Sequence, residues 1–198
     1  MYDQKVVVGV VLAGGLARRM SYQDKGLVLY KGHPLVSYAI EALSGVTDLI
    51  LINANRNLEV YKTFGLPVVT DQVADFSGPL AGILSAMIFT TADVMVVVPC
   101  DSPIIKAEDL QKLLTMREEA NADVAVAFDG ERLHPVFLAI KTSLKASLQN
   151  YLASGHRKVQ QWLKQQLMVT VSFSDRPEIF SNINTLTELA QLEVQDDV

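Results

Sequence analysis

The sequence is poor in cysteine, in long apolar runs and in positive charge, and each shortage excludes a class of protein. Cys100 is the only cysteine in 198 residues, so an intrachain disulfide framework and a cysteine-rich zinc site are both excluded. No apolar run approaches the roughly 18 to 20 residues that a membrane-spanning helix needs. From the lone cysteine we expect a cytoplasmic protein.

Basic side chains are outnumbered, with 17 against 22 acidic ones and a formal net charge of −5. This balance argues against a protein whose main task is to bind nucleic acid or an anionic membrane, although a local basic patch can still hold a small anion. The chain is 49% hydrophobic and 20% charged, which is the composition of a globular protein. Its length predicts a single domain over residues 1–198.

Two common phosphate-binding motifs are missing as well, since neither G-x-x-x-x-G-K-[ST] nor G-x-G-x-x-G occurs. The three histidines, His33, His134 and His156, lack metal-ligand spacing, and we interpret them as structural or peripheral. Cys100 has no histidine close in sequence, so we interpret it as a small buried apolar residue rather than a nucleophile.

Strand and helix patterns alternate along the chain, which predicts an α/β fold with three α/β/α layers around a mostly parallel sheet. Aliphatic runs predict strands at residues 6–12, 48–52, 67–70, 94–98, 123–128, 135–140 and 168–173. Apolar residues at helical spacing predict helices that include residues 35–43, 80–88, 110–114, 144–152 and 159–167. A capping box at residues 185–188 predicts a final helix.

Ligands bind such sheets beyond the carboxyl ends of the strands, so the loops at those ends are the candidate sites. After the first strand, Gly14 and Gly15 can point backbone amides at a ligand. Arg18, Arg19 and Lys25 then place three cations within eight residues. This loop has the chemistry of a phosphate cradle; the alternative is a tight turn with surface arginines.

Carboxylates and amides follow three other strands. Asp101 lies beyond the most apolar strand and is a hard oxygen ligand suited to Mg²⁺ that bridges substrate phosphates, or else a turn-capping aspartate. Asn53 and Asp71 stand at the ends of the second and third strands, where an amide and a carboxylate can read a nucleobase edge or a ribose.

These loops together resemble the nucleotidyltransferase superfamily, and more closely the molybdenum cofactor guanylyltransferases of MobA type. The resemblance covers residues 6–192. The motifs that carry it, in chain order, are LAGG at 12–15, RM at 19–20, DK at 24–25, GPLAG at 78–82, CDSP at 100–103, HPVF at 134–137 and NINT at 182–185. The chain departs from the family pattern at Ser21 and Tyr22, where the family often has glycine.

The resemblance implies a Rossmann-like nucleotidyltransferase fold and transfer of GMP from GTP to the terminal phosphate of molybdopterin, with release of pyrophosphate and Mg²⁺ as cofactor. The nucleotide half would cover residues 1–105 and the acceptor half residues 106–198. The residues implied to bind GTP are Leu12, Ala13, Gly14, Gly15, Lys25, Asn53, Asp71 and Asp101. Lys25, Asp101 and Arg19 would be catalytic, and Asp101 would hold the metal. The residues implied to line the molybdopterin side are Arg19, Gly78, Gly82, Arg157, Asn182 and Asn184.

Further partners implied by the resemblance are other molybdenum-cofactor biosynthesis proteins and acceptor-enzyme chaperones. Two alternatives remain open at this point. One is a different nucleotidyltransferase, which acts on a sugar phosphate or makes the cytidine dinucleotide. The other is a non-catalytic nucleotide-binding module that regulates a partner.

Overall fold

A computed structural model describes residues 5–13, 24–72 and 78–181. The strands are β1 (Val7–Leu12), β2 (Leu29–Tyr30), β3 (His33–Pro34), β4 (Ile50–Asn53), β5 (Val68–Val69), β6 (Val94–Pro99), β7 (Val124–Phe128), β8 (Leu133–Lys141) and β9 (Met168–Ser172). The helices are α1 (Leu35–Ser44), α2 (Leu58–Lys62), α3 (Pro79–Phe89), α4 (Ala107–Glu119), α5 (Lys145–Ala153) and α6 (Val159–Leu163). Short 3₁₀ turns cover Lys25–Leu27, Thr142–Leu144 and Pro177–Phe180.

Within these ranges, seven strands form one sheet in the order β5-β4-β1-β6-β8-β7-β9. Neighbouring strands run parallel, except that β8 is antiparallel to both β6 and β7. The reversal has a simple cause: a tight turn joins β7 to β8, and a parallel connection needs a crossover of a dozen or so residues. The predicted mostly parallel sheet is confirmed.

Helices cover both faces of the sheet because successive side chains of a strand point to opposite sides. On one face Val11 belongs to an apolar cluster with Leu43 of α1 and Leu110 of α4. On the other, its neighbour Val10 clusters with Leu84 of α3, and α5 and α6 add buried side chains there. The predicted three-layer α/β/α architecture is confirmed.

From β1 the chain first adds β4 and β5 on one side of that strand, and it then returns to add β6 on the other side. Residues Leu12 and Pro99 are paired at the carboxyl ends of β1 and β6. Loops that leave two adjacent parallel strands here diverge and open a crevice, which is the usual ligand position in open α/β sheets. The topology therefore predicts a ligand site between the loops that follow Leu12 and Pro99.

Three local features differ from the predictions. The hairpin β2–β3 was not predicted; its two central residues, Lys31 and Gly32, have positive φ, which matches the twist of a two-residue hairpin. Helix α2 was also missed, because five residues are too few to show a helical period. Helix α6 ends at Leu163, four residues before the predicted end at Leu167.

The predicted final helix at residues 185–188 and beyond lies outside the described residues. In residues 5–13, 24–72 and 78–181, none of the helices is long and apolar enough to cross a membrane.

Candidate functional site

Lys25 and Asp101, which lie on separate loops in the sequence, form an ion pair at the carboxyl-terminal edge of the sheet. Lys25 begins the 3₁₀ turn after the first loop, and Asp101 follows the end of β6. Lys25 Nζ lies 3.0 Å from Asp101 Oδ2, and the two side chains are 20% and 11% exposed. Partly buried charges are screened less by salt than charges on an open surface, so salt weakens the attraction between these two groups only a little.

The turn that carries Lys25 is anchored by its neighbour Asp24, a buried carboxylate. Asp24 accepts hydrogen bonds from the Tyr61 hydroxyl at 2.6 Å and from Asn57 Nδ2 at 3.1 Å. It also accepts one from the backbone amide of Gly26 at 3.3 Å. The sequence analysis missed Tyr61 and Asn57 because they are more than 30 residues from Asp24 and match no motif.

The backbone at the end of β1 is hydrogen-bonded on one side to β4 and on the other to the residue that follows β6. The Ala13 amide donates to the Asn53 carbonyl at 2.8 Å, and the Cys100 amide donates to the Leu12 carbonyl at 3.2 Å. Ala13 is buried and Leu12 half-buried. The backbone of Leu12 and Ala13 therefore lies directly between the strand ends that carry Asn53 and Asp101.

Asn53 and Asp71 form a polar network at the ends of β4 and β5. The buried Asn53 amide donates to the Val69 carbonyl at 3.1 Å and to Asp71 Oδ1 at 2.9 Å. Asn55 donates to Asp71 Oδ2 at 2.8 Å and accepts from the Asp71 amide at 2.8 Å. Two amide side chains thus fix the Asp71 carboxylate, and Asn55 was not predicted.

Gly82 of α3 allows that helix to approach Asn53 closely. A Cβ on Gly82 would lie 2.2 Å from Asn53 Oδ1 and 3.0 Å from Leu12 Cδ2, so no larger residue fits without rearrangement. At the entrance of the helix, Gly78 has φ 97° and ψ 180°, a conformation that only glycine adopts readily. Pro79 follows at the first helical position, where its missing amide costs nothing.

Arg157 lies after α5, where its Nη1 donates to the carbonyls of Leu152 at 2.8 Å and His156 at 2.7 Å. These bonds satisfy backbone groups near the carboxyl end of the helix. The other predicted site residues, Gly14, Gly15, Arg19, Asn182 and Asn184, lie outside the described residues.

Cys100 and His134 are both buried, and their contacts are those of residues that pack in the core. Burial raises the pKa of the Cys100 thiol, as do the nearby carboxylates of Asp101 and Asp24, so the thiol is protonated and a poor nucleophile. His134 Nε2 lies 2.6 Å from Asp129 Oδ2, and the ring stacks on Phe180 with centroids 3.9 Å apart. Both arrangements support packing rather than chemistry.

The carboxylates of Asp24 and Asp71 are already bonded to side chains of the protein, and the carboxylate beside Lys25 that could turn to a metal ion is that of Asp101. Within the described ranges no group of three histidine, cysteine or acidic side chains could hold a metal ion. Mg²⁺ is usually bound by one or two carboxylates together with substrate phosphates and water. The carboxylate of Asp101 therefore fits Mg²⁺ that arrives with a nucleotide, whereas the described residues offer no set of ligands for a metal held by the protein alone.

A cleft of about 1000 Å³ lies elsewhere, between α1, the β2–β3 hairpin and the segment from Pro103 to Ala107. Its described lining includes none of the predicted site residues. The cleft and the charged groups at the strand ends are therefore separate features of the molecule.

Comparison with known proteins gives a consistent picture. A family model described as a MobA-like NTP transferase domain matches residues 9–170. The molybdenum cofactor guanylyltransferase of Shewanella piezotolerans is 43% identical over 183 residues, which cover 92% of this chain and 90% of the relative. The molybdenum cofactor guanylyltransferase of Shewanella frigidimarina is 45% identical over 186 residues, which cover 94% of this chain and 95% of the relative.

Solved structures share the fold. The molybdopterin-guanine dinucleotide biosynthesis protein A of Archaeoglobus fulgidus superposes with a TM-score of 0.79 at 23% identity, over 96% of this chain and 98% of that chain. The 4-diphosphocytidyl-2C-methyl-D-erythritol synthase of Anaerococcus prevotii superposes with a TM-score of 0.76 at 12% identity, over 99% of this chain and 98% of that chain. At these identities the similarity describes the fold alone.

Proposed function

The chain belongs to the MobA-like NTP transferase family, and on that premise we propose that it transfers GMP from GTP to the terminal phosphate of molybdopterin. An oxygen of the acceptor phosphate bonds to the α-phosphorus of GTP, and the bond between the α- and β-phosphates breaks. Pyrophosphate leaves, and the product is the guanine dinucleotide form of the molybdenum cofactor. The guanylyltransferases that share over 40% identity with nearly the whole chain support this choice of substrates.

The observation that carries the proposal is the contact between Lys25 and Asp101 at the crevice between β1 and β6. The reaction joins two polyanions, so electrostatic repulsion is the first obstacle. Lys25 offsets that repulsion by binding the triphosphate, and Arg19 contributes a second positive charge. Because the second pKa of a phosphate monoester is about 6, the acceptor is already a nucleophile at neutral pH and no general base is needed. Positioning and charge stabilisation then supply the catalysis.

Asp101 would hold Mg²⁺ when the nucleotide is bound. The ion would supply positive charge at the triphosphate and favour departure of pyrophosphate. The position of Asp101 beside Lys25 gives the site one negative and one positive group, which suits a magnesium-loaded nucleotide.

The guanosine side of the site would be formed by the ends of β1, β4 and β5. The backbone of Leu12 and Ala13 continues into Gly14 and Gly15, whose amides would reach the phosphates. The Asp71 carboxylate, fixed by Asn53 and Asn55, would accept hydrogen bonds from the nucleoside. Asn53 uses its amide group within the protein, so its part in this site is chiefly to orient Asp71.

The acceptor side would be formed by Gly78, Arg157 and Arg19, with Asn182 and Asn184 from the carboxyl-terminal segment. The division into a nucleotide half at residues 1–105 and an acceptor half at residues 106–198 of one domain stays a prediction. Gly82 is buried against Asn53, so its contribution to this side would be indirect. A cytoplasmic location and contacts with other molybdenum-cofactor proteins and acceptor-enzyme chaperones also stay predictions.

Pyrophosphate release tests the proposal directly. The purified chain is incubated with GTP, with and without molybdopterin and with and without Mg²⁺, and the same reactions are run with CTP. We expect release that requires GTP, acceptor and Mg²⁺ together. Faster release with CTP would favour a cytidylyltransferase, and GTP binding without release in the presence of acceptor would favour a non-catalytic module.

A further inference from the structure

The carboxylate of Asp24 receives three hydrogen bonds, although it belongs to neither substrate side. It is buried, and its donors come from the short helix α2 and its cap as well as from its own turn. The Tyr61 hydroxyl is 2.6 Å from Oδ1, Asn57 Nδ2 is 3.1 Å from Oδ2, and the Gly26 amide is 3.3 Å from Oδ1. The bond from Tyr61 is short, as expected for a hydroxyl that donates to a carboxylate.

The same turn is packed tightly from two sides. A Cβ on Gly26 would lie 2.5 Å from the Tyr61 hydroxyl and 3.3 Å from Cys100 Sγ. Tyr61 therefore touches the turn on one side, and the residue that precedes Asp101 touches it on the other. Lys25 stands between two residues that are both held, so its side chain leaves the backbone from a defined point.

Helix α2 has little stability of its own, because five residues are too few to offset the cost of helix nucleation. Its buried side chain is Tyr61, which is fully enclosed, and burial raises the pKa of the hydroxyl, so the group remains a hydrogen-bond donor. The helix begins after Asn57, whose φ of 50° turns the chain. Its described contacts thus bring one phenol and one amide to Asp24.

The geometry points to Tyr61 and Asn57 as positioning residues that act through Asp24 to hold Lys25 beside Asp101 for nucleotide binding. Neither residue is expected to touch substrate. The inference rests on the proposed role of Lys25, and it adds α2 to the elements that build the site.

A double-mutant cycle on GTP binding tests it. Tyr61→Phe removes only the hydroxyl and keeps the ring in the core, and Asn57→Gly removes the amide while tolerating the positive φ. We expect each to weaken GTP binding about tenfold, the effect of losing one hydrogen bond to a charged group. In a Lys25→Ala background neither should weaken binding further, because the group that they position is gone.

Tyr38→Phe is the matched control, since it removes a hydroxyl that donates to the Tyr30 carbonyl at 2.7 Å and that is not bonded to Asp24. Binding is measured by calorimetry with GTP and Mg²⁺ in the absence of acceptor, and folding is checked by urea unfolding. Tyr38→Phe should lose a similar amount of stability and keep its GTP affinity.

Two results of the cycle overturn the positioning role alone, and a third overturns it together with the role of Lys25. One is an unchanged GTP affinity in folded Tyr61→Phe, and the other is equal weakening by Tyr61→Phe with and without Lys25. The proposed function fails on a different result: the wild type binds GTP but releases no pyrophosphate when molybdopterin is added. A wild-type affinity that does not depend on Lys25 would overturn the positioning role together with the role of the lysine.

Discussion

Substitution of Gly82 by alanine tests the packing that brings α3 against the ends of β1 and β4. The added Cβ would lie 2.2 Å from Asn53 Oδ1 and 2.8 Å from Asn53 Cγ, well inside van der Waals contact. Leu12 Cδ2, 3.0 Å away, is the end of a flexible side chain and can move. Asn53 cannot move freely, because its amide donates to Val69 and to Asp71.

The expected cost follows from these contacts. Displacement of Asn53 breaks two hydrogen bonds, each worth about 1 kcal/mol, and residual overpacking adds about 1 kcal/mol or more. Alanine in a helix interior is favoured over glycine by about 1 kcal/mol, which offsets part of that loss. We therefore expect Gly82→Ala to lower the free energy of unfolding by about 2 kcal/mol, and to weaken GTP binding because Asp71 loses one of its two supports.

Urea unfolding monitored by circular dichroism measures the change, and the Asn53→Ala background supplies the internal control. With the amide removed, the new methyl group has space, so Gly82→Ala should become stabilising by up to about 1 kcal/mol. The reasoning is refuted if Gly82→Ala is as stable as the wild type, or if it destabilises both backgrounds equally.

Four further predictions concern the charged and reactive groups. Asp101→Ala should lower Mg²⁺-dependent turnover by roughly 100-fold or more, as expected for a lost preorganised charge, and near-normal turnover would contradict its role. Lys25→Ala should weaken GTP binding and slow transfer, measured by calorimetry and pyrophosphate release; unchanged values for both would count against it. Hydrogen bonds from the Arg132 amide, His134 and the Glu131 amide hold the pKa of the Asp129 carboxyl well below its ordinary value. The ionised Asp129 carboxylate therefore contributes its full stability above pH about 4, the pKa of the unfolded chain, and this contribution is lost as the pH falls further. The difference in unfolding free energy between the wild type and Asp129→Asn should shrink on acidification. A difference that grows would disprove this. Because burial raises the pKa of Cys100, iodoacetamide at pH 8 should label the folded protein far more slowly than the urea-unfolded chain, and rapid labelling of the folded protein would show an accessible thiolate.

The strand ends could be located from the sequence because each strand has a strong local signal. The apolar run that becomes β6 is continuous and rich in valine, as is typical of a strand buried on both faces, so the position of Asp101 just beyond it could be predicted. The same reasoning placed Asn53 and Asp71 at the carboxyl ends of β4 and β5. Parallel strands then bring these residues to one edge.

Other features have no local signal. Tyr61 belongs to a helix of five residues, and its hydrogen bond to Asp24 joins residues 37 positions apart. In the sequence Gly82 is one small residue in an apolar helix. Only the close approach of Asn53 at the end of β4 shows why a side chain is excluded there. The antiparallel direction of β8 likewise follows from its connection to β7 and not from its composition.

The sequence by itself determined the alternation of strands and helices, the family motifs and the polar residues at the strand ends, because these depend on patterns within a few residues. The tertiary structure decided which groups meet: Lys25 with Asp101, Asp24 with Tyr61, and Gly82 with Asn53. Such pairings depend on the order of strands in the sheet and on how closely helices pack against it, and both are set by long-range packing of the whole core.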